Sequence, residues 1–327
     1  MRRELKVQCE LCPKLCVIEP GQSGECRVRI NLEGVLRSVV YGFPCSMHID
    51  PVEKKPLFHF LPGSRILSLA TVGCNLHCKN CQNWEISQAN PEESKAAACP
   101  PGKLVQLCKQ YECPSLAYTY TDPIVFYEYT YDAAKLARQA GVRNVLVTAG
   151  YINERPWREL LEHVDAANID LKGITDEFYR NICSGTLKPV QEALILAKAS
   201  GVLVEVTNLI IPTLNDKAEQ IGELCRWVRA NLGADTPVHF SGFSPRYKMR
   251  HLPPTSAATL DSAREIAIGE GLNYVYIGNV RSKAGQNTYC PGCKGLLIER
   301  SGYTVLQQRV KDGRCPDCNR EIYGVWK

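Results

Sequence analysis

What this chain lacks narrows its class before any motif is read. No apolar stretch approaches the ~20 residues that a bilayer-spanning helix needs, so no membrane role is expected. The run Met1-Arg2-Arg3-Glu4-Leu5-Lys6 leads into polar sequence without an apolar h-region, so no secretory signal is expected either. Charge of neither sign gathers into a run. The net +5 over 327 residues suits acidic partners such as nucleotides but makes no case for nucleic-acid binding. There is no low-complexity tract and no repeat beyond two Cys-Pro-x-Cys knuckles. An even cysteine count is missing too: seventeen cannot all pair internally. A cysteine-rich chain without an export signal is expected to hold metal in a reducing cytoplasm.

What is present falls into three units: 1–60, 61–285 and 286–327. The first carries Cys9, Cys12, Cys16 and Cys26, with the turn-formers Pro20, Gly21 and Gly24 between the last two. A hairpin follows, with Val28 and Ile30 before the turn Glu33-Gly34 and an apolar run over 35–40 after it. Residues 50–56, flanked by Pro51 and Pro56, read as a rigid polar connector.

The middle unit alternates apolar, β-rich runs with helical patterns. Strands are expected over 66–72, 116–120, 142–148, 166–171, 202–211 and 238–243. Helices are expected over 103–112, 125–139, 158–164, 190–199 and 218–230, and a further helix and strand over 256–269 and 274–278. Six βα-like units argue for an α/β fold with parallel strands, a partial (β/α)6 TIM-like barrel whose chemistry gathers at the C-terminal strand ends. The last unit has Cys290, Cys293, Cys315 and Cys318 around a hairpin over 296–307. Four thiolates with no open position fit structural zinc in a zinc-ribbon-like extension, with rubredoxin-type iron as the alternative. The N-terminal four make a second closed set, for zinc or a second [4Fe-4S] cluster.

Cys74, Cys78 and Cys81 differ from both sets. They sit on one short loop behind the 66–72 strand, spaced C-x3-C-x2-C, and three soft ligands leave a coordination position open. Gly73 just before them lets backbone approach a cluster closely. This spacing resembles the radical S-adenosylmethionine (SAM) signature. The resemblance implies a [4Fe-4S] cluster with SAM chelated at its open iron. The residue before the third cysteine, often aromatic in that superfamily, is Asn80 here, which leaves Trp84 or another side chain to cover the nucleotide.

SAM contacts are then sought at the strand ends. Asp122, in Tyr118-Thr119-Tyr120-Thr121-Asp122-Pro123, stands where the superfamily usually has Gly-Gly-Glu; the alternative is a helix N-cap ahead of Pro123. Thr148 and Gly150 match a segment of pyruvate formate-lyase activating enzymes. Asp170 and Lys172 match that family's Asp-Leu-Lys and share a strand face; the alternative is a plain ion pair. His239 resembles the activase histidine beside SAM; the alternative is a satisfied core residue.

End to end, the chain resembles the radical SAM member of the AmmeMemoRadiSam system. The blocks are Cys9-x-Leu11-Cys12-Pro13-x-x-Cys16, Gly24-x-Cys26-x-Val28-Arg29, Asp50 through Gly63, Gly73 through Ser87, and the Cys-Pro-x-Cys tail. The resemblance implies Memo-family and AMMECR-type protein partners, a one-electron donor such as ferredoxin or flavodoxin, and a 5′-deoxyadenosyl radical that takes hydrogen from a protein or small-molecule substrate. Glycyl-radical-enzyme activation is a narrower variant. A multi-metal scaffold with a structural cluster is the reading from another class. The remaining Cys45, Cys99, Cys108, Cys113, Cys183 and Cys225 read as core or surface thiols.

Overall fold

Seven strands lie parallel in one sheet, and their order in space is their order in the chain. The computed structural model describes residues 5–280 and 285–327. Met1 to Glu4, part of the stretch read for a signal, lie outside the described residues. Two small antiparallel pairs come first, β1 (Val7–Gln8) with β2 (Val17–Ile18) and β3 (Arg29–Leu32) with β4 (Val35–Ser38). The central sheet then runs β5 (Ser46–Pro51), β6 (Arg65–Ala70), β7 (Ser115–Tyr118), β8 (Arg143–Thr148), β9 (Ala166–Asp170), β10 (Leu203–Ile210), β11 (Val238–Gly242) and β12 (Val275–Gly278). Only β5 is antiparallel, paired with β6.

The crossovers carry α1 (Trp84–Ser87), α2 (Pro101–Gln110), α3 (Tyr127–Gln139), α4 (Glu154–Leu161), α5 (Asp176–Phe178), α6 (Leu187–Ala199), α7 (Ala218–Leu232) and α8 (Ala257–Gly269). A π-helical turn, Tyr179–Cys183, continues α5. The sheet is covered on both faces: β10 is buried at every position but Leu209, its polar Glu205, Thr207 and Asn208 included. Local chemistry sets the helix starts, with Pro101 at the first turn of α2 and the Ser256 hydroxyl accepting from Thr259 N at 3.0 Å to cap α8. A parallel sheet wound without reversal lines up all its C-terminal strand ends along one rim.

Two expectations change. The seven parallel strands are the six expected in the βα units and the further one expected over 274–278, but the antiparallel β5 adds an eighth. The stretch 50–56, expected as a rigid polar connector, is largely buried. Asp50 is buried at the end of β5, accepting from Lys55 at 2.6 Å and Lys54 at 2.9 Å and from the Tyr120 hydroxyl. Its carboxyl sits below the usual range because those partners outweigh the burial that would raise it.

The tail, with β13 (Thr288–Tyr289), β14 (Leu296–Ser301) and β15 (Thr304–Gln308), docks onto the sheet. Phe58, Tyr274 and Tyr276 pack with Leu297, Ile298 and Ile322. Arg300 Nη2 donates to Phe58 O at 2.7 Å, and Val325 N donates to His59 O at 2.7 Å. Among the described residues no helix is long and apolar enough to cross a membrane, and no disulfide forms.

Candidate functional site: three thiols at the rim of the sheet

The loop after β6 is held from two sides. Behind it, Gly73 has φ +96, and a Cβ there would stand 2.7 Å from Cys26 O. The close approach that glycine permits is therefore to the backbone of the N-terminal unit. In front, the π-helical turn receives His77 N at Cys183 O (3.0 Å) and Lys79 N at Ile182 O (2.9 Å). Gly73 N also bonds Ile86 O at 3.0 Å, which folds α1 back under the loop.

Each thiol of the loop meets its own polar partner. Leu76 N donates to Cys74 Sγ at 3.5 Å, and Ser87 Oγ lies 3.2 Å from Cys81 Sγ. Cys183 hydrogen-bonds Cys78 and is the main reason the Cys78 thiol is lowered, with Lys172 assisting. Burial pushes the Cys74 and Cys81 thiols up, Ser87 partly offsetting it at Cys81. Cys183, expected as a core or surface thiol, is a core thiol that also acts on Cys78. It stands 105 positions from Cys78 (183 − 78) and no spacing announces it. Ser87 does carry a sequence signal, since it closes the block that begins at Gly73.

The three thiols open into a cavity of about 520 Å³ whose walls include Asp122, Thr148, Asp170 and Lys172. Lys172 Nζ donates to Asp170 Oδ2 at 2.6 Å, with 20% and 31% of the two side chains exposed. The two side chains form an ion pair and also line the cavity. Burial works against the Lys172 ammonium, but Asp170 and the thiols of Cys78 and Cys183 outweigh it and hold it charged.

Asp122 is spoken for. Its carboxylate accepts from Thr148 Oγ1 at 2.8 Å, Ala149 N at 2.9 Å and Ile124 N at 3.1 Å. Burial nonetheless raises its pKa. It fixes the loop after β8 through Thr148, whose hydroxyl donates to it and accepts from Gly150 N at 3.0 Å. It does not cap α3, which starts at Tyr127 with Phe126 before it.

His239 is not in this cavity. It is buried against Glu205, Nε2 to Oε2 at 2.6 Å, stacks on Tyr276 and lines the neighbouring, larger cavity. Glu205 also accepts from Phe58 N and His59 N. Those partners outweigh burial and hold its carboxyl low. From β11 it is Ser241, two residues nearer the strand end, that reaches the thiol cavity. Trp84 does not line it either; the ring stacks on Tyr247 at 5.2 Å. Side chains the sequence did not single out complete the walls: Lys54 and Lys55 after β5, Tyr120 at φ +63, and Tyr303 from the tail hairpin.

The cysteine sets differ in spread. In the tail, Cys290 and Cys318 are 3.5 Å apart and Cys293 and Cys315 3.6 Å. Thiolates around one tetrahedral zinc, at Zn–S near 2.3 Å, are separated by roughly 3.8 Å. Among the described residues this is the one group of three or more His, Cys, Asp or Glu ligand atoms lying all within 4.8 Å of one another. Cys74, Cys78 and Cys81 are more widely spread.

The profile of the Radical SAM superfamily matches residues 68–228. An uncharacterised protein of Methanocaldococcus jannaschii is 48% identical over 319 residues, 97% of this chain and 95% of its own. A pyruvate formate-lyase-activating enzyme of Clostridium pasteurianum is 26% identical over 159 residues, 48% of this chain and 66% of its own. Streptococcus suis SuiB bound to precursor peptide SuiA superposes with TM-score 0.51 at 14% identity, over 70% of this chain and 51% of that one. A radical SAM methyltransferase of Sphaerobacter thermophilus gives 0.50 at 15%, over 69% and 68%. These two structures show a shared fold. The profile takes in the cysteine loop and the strand ends that carry Thr148, Asp170 and Lys172, and the chain belongs to the radical SAM superfamily.

Proposed function

We propose that this chain is a radical SAM enzyme that acts on a protein or small-molecule substrate, with SAM seated in the cavity beside Cys74, Cys78 and Cys81. One observation carries the reading: three thiols, too widely spread for one ion, open together into a cavity with a charged acceptor–donor pair on its wall. The donor set fits a [4Fe-4S] cluster. All three ligands are soft thiols, each with a hydrogen-bond partner, and the buried Asn80 Oδ1 beside them has no partner. When bound, the cluster and SAM would supply reductive cleavage to methionine and a 5′-deoxyadenosyl radical.

The chain's own work is binding and shielding. Lys172 offers a cation for the carboxylate of SAM, Asp170 an acceptor for its amino or ribose groups, and Thr148 a hydroxyl. Asp122 keeps the Thr148 loop in place. Lys54, Lys55 and Tyr303 narrow the mouth against water. Ferredoxin or flavodoxin as electron donor, Memo-family and AMMECR-type partners, zinc in the tail and a cytoplasmic setting belong to the same proposal, with glycyl-radical activation as its narrower form.

The test is to reconstitute the full chain anaerobically and supply dithionite and SAM. Formation of 5′-deoxyadenosine, lost in Cys78→Ala, is expected. An intact cluster with no deoxyadenosine would favour a scaffold.

A further inference from the structure

The four cysteines of the N-terminal unit are not used by the site above. They come together all the same. The antiparallel pair β1–β2 brings Cys9 beside Cys16, whose carbonyl accepts from Cys9 N at 2.9 Å. The tight turn between them, Leu15 N to Cys12 O at 3.1 Å with Leu15 at φ +46, projects Cys12. Cys26 returns beside them through a second turn with Arg27 at φ +70. All four line one small cavity, walled by Leu11, Ile18, Ile124 and Val125. Water is thus kept from the sulfurs on the apolar sides.

From this arrangement we infer that Cys9, Cys12, Cys16 and Cys26 hold a second iron–sulfur cluster, and not a zinc ion. The reason is the spread of the sulfurs. A single zinc draws its thiolates to roughly 3.8 Å from one another, and the tail four stand at that spacing. No three of the N-terminal four lie within 4.8 Å of one another. In this they group with Cys74, Cys78 and Cys81. The molecule therefore sorts its cysteines into one tight set and two wide ones, and a wide set of four around one cavity with apolar sides suits a multi-iron core several ångströms across. Four thiolates leave no iron open, so this second cluster binds no substrate.

Its placement adds to the case. The cavity shares a wall with the loop of Cys74, Cys78 and Cys81: Asn75, next in sequence to Cys74, lines it together with Cys12. The buried Arg29, tied to Glu128 at 2.7 Å by both terminal nitrogens, keeps Nε without a partner on the same wall. A donor left over beside a set of thiols is what cluster sulfides use.

The experiment is a metal and sulfide count on the full chain with Cys74, Cys78 and Cys81 all changed to Ala, reconstituted anaerobically. About four iron and four sulfide per chain are expected to remain, with about one zinc. About two zinc without sulfide, or one zinc and no iron, overturns the inference. Should that variant not fold, Cys12→Ser with Cys16→Ser in the otherwise intact chain decides: iron falls from about eight to about four per chain if the inference holds, and stays at about four, as before the change, if it does not. Neither count depends on SAM cleavage, so failure here and failure of the proposed activity are told apart.

Discussion

Ser87 Oγ stands 3.2 Å from Cys81 Sγ, so a helix that carries none of the three thiols still touches one of them. Cys183 likewise acts on Cys78 from the π-helical turn, and the Leu76 amide donates to Cys74 Sγ within the loop itself. Hydrogen bonds to ligand sulfurs stabilise the more negative, reduced form of a cluster and raise its potential. Ser87→Ala and Cys183→Ala are each expected to lower the midpoint potential on the order of tens of millivolts. Redox titration followed by EPR reads this directly. Cys183→Ser, which restores a donor, should recover most of the shift, whereas mere loss of packing would not be rescued.

Asp170 and Lys172 combine a short ion pair with a position on the cavity wall. Asp170→Asn should weaken SAM binding about fivefold, since a partly exposed pair is worth about 1 kcal/mol. Anaerobic equilibrium dialysis measures it. If affinity holds while the melting temperature falls, the pair serves stability alone.

At Asp122 the ordering of effects is reversed. Three hydrogen bonds at a buried carboxylate make Asp122→Ala a stability variant, expected to cost about 3 kcal/mol in urea unfolding. Thr148→Ala, which removes one of those three hydrogen bonds, should cost about 1 kcal/mol, less than Asp122→Ala, and also show itself in SAM affinity.

Burial lowers His59 from 6.5 to about 4, so the folded chain keeps its imidazole neutral. The unfolded chain then binds a proton that the folded one refuses. Stability should fall as pH drops through 6.5 and level off only below 4. Between pH 7 and 5 this amounts to about 2 kcal/mol. His59→Asn, which cannot titrate, is expected to flatten that part of the urea-midpoint profile even though it is less stable overall.

The tail thiols are already at zinc-like spacing. Cys293→Ala is expected to lose about one zinc per chain. Because Tyr303 reaches the thiol cavity from the hairpin between the two knuckles, the proposed SAM site predicts that the same change raises KM for SAM without removing the iron. Elemental analysis beside deoxyadenosine kinetics checks both halves.

The sequence by itself determined the alternation of strands and helices, the loop of Cys74, Cys78 and Cys81, the Asp170–Lys172 pair and the three cysteine groups. These are local properties: periodicity follows from which faces of an element are covered, and ligands on one loop are fixed by spacing. What lies opposite a given side chain is set by packing between distant segments. Only the tertiary structure put Cys183 against Cys78, seated His239 on Glu205 away from the thiols, buried Asp50 under Lys55, and brought Tyr303 to the cavity. It alone gave the separations between sulfurs. Spacing along the chain had left the N-terminal four open between zinc and iron–sulfur; their distance apart in space is what favours the cluster.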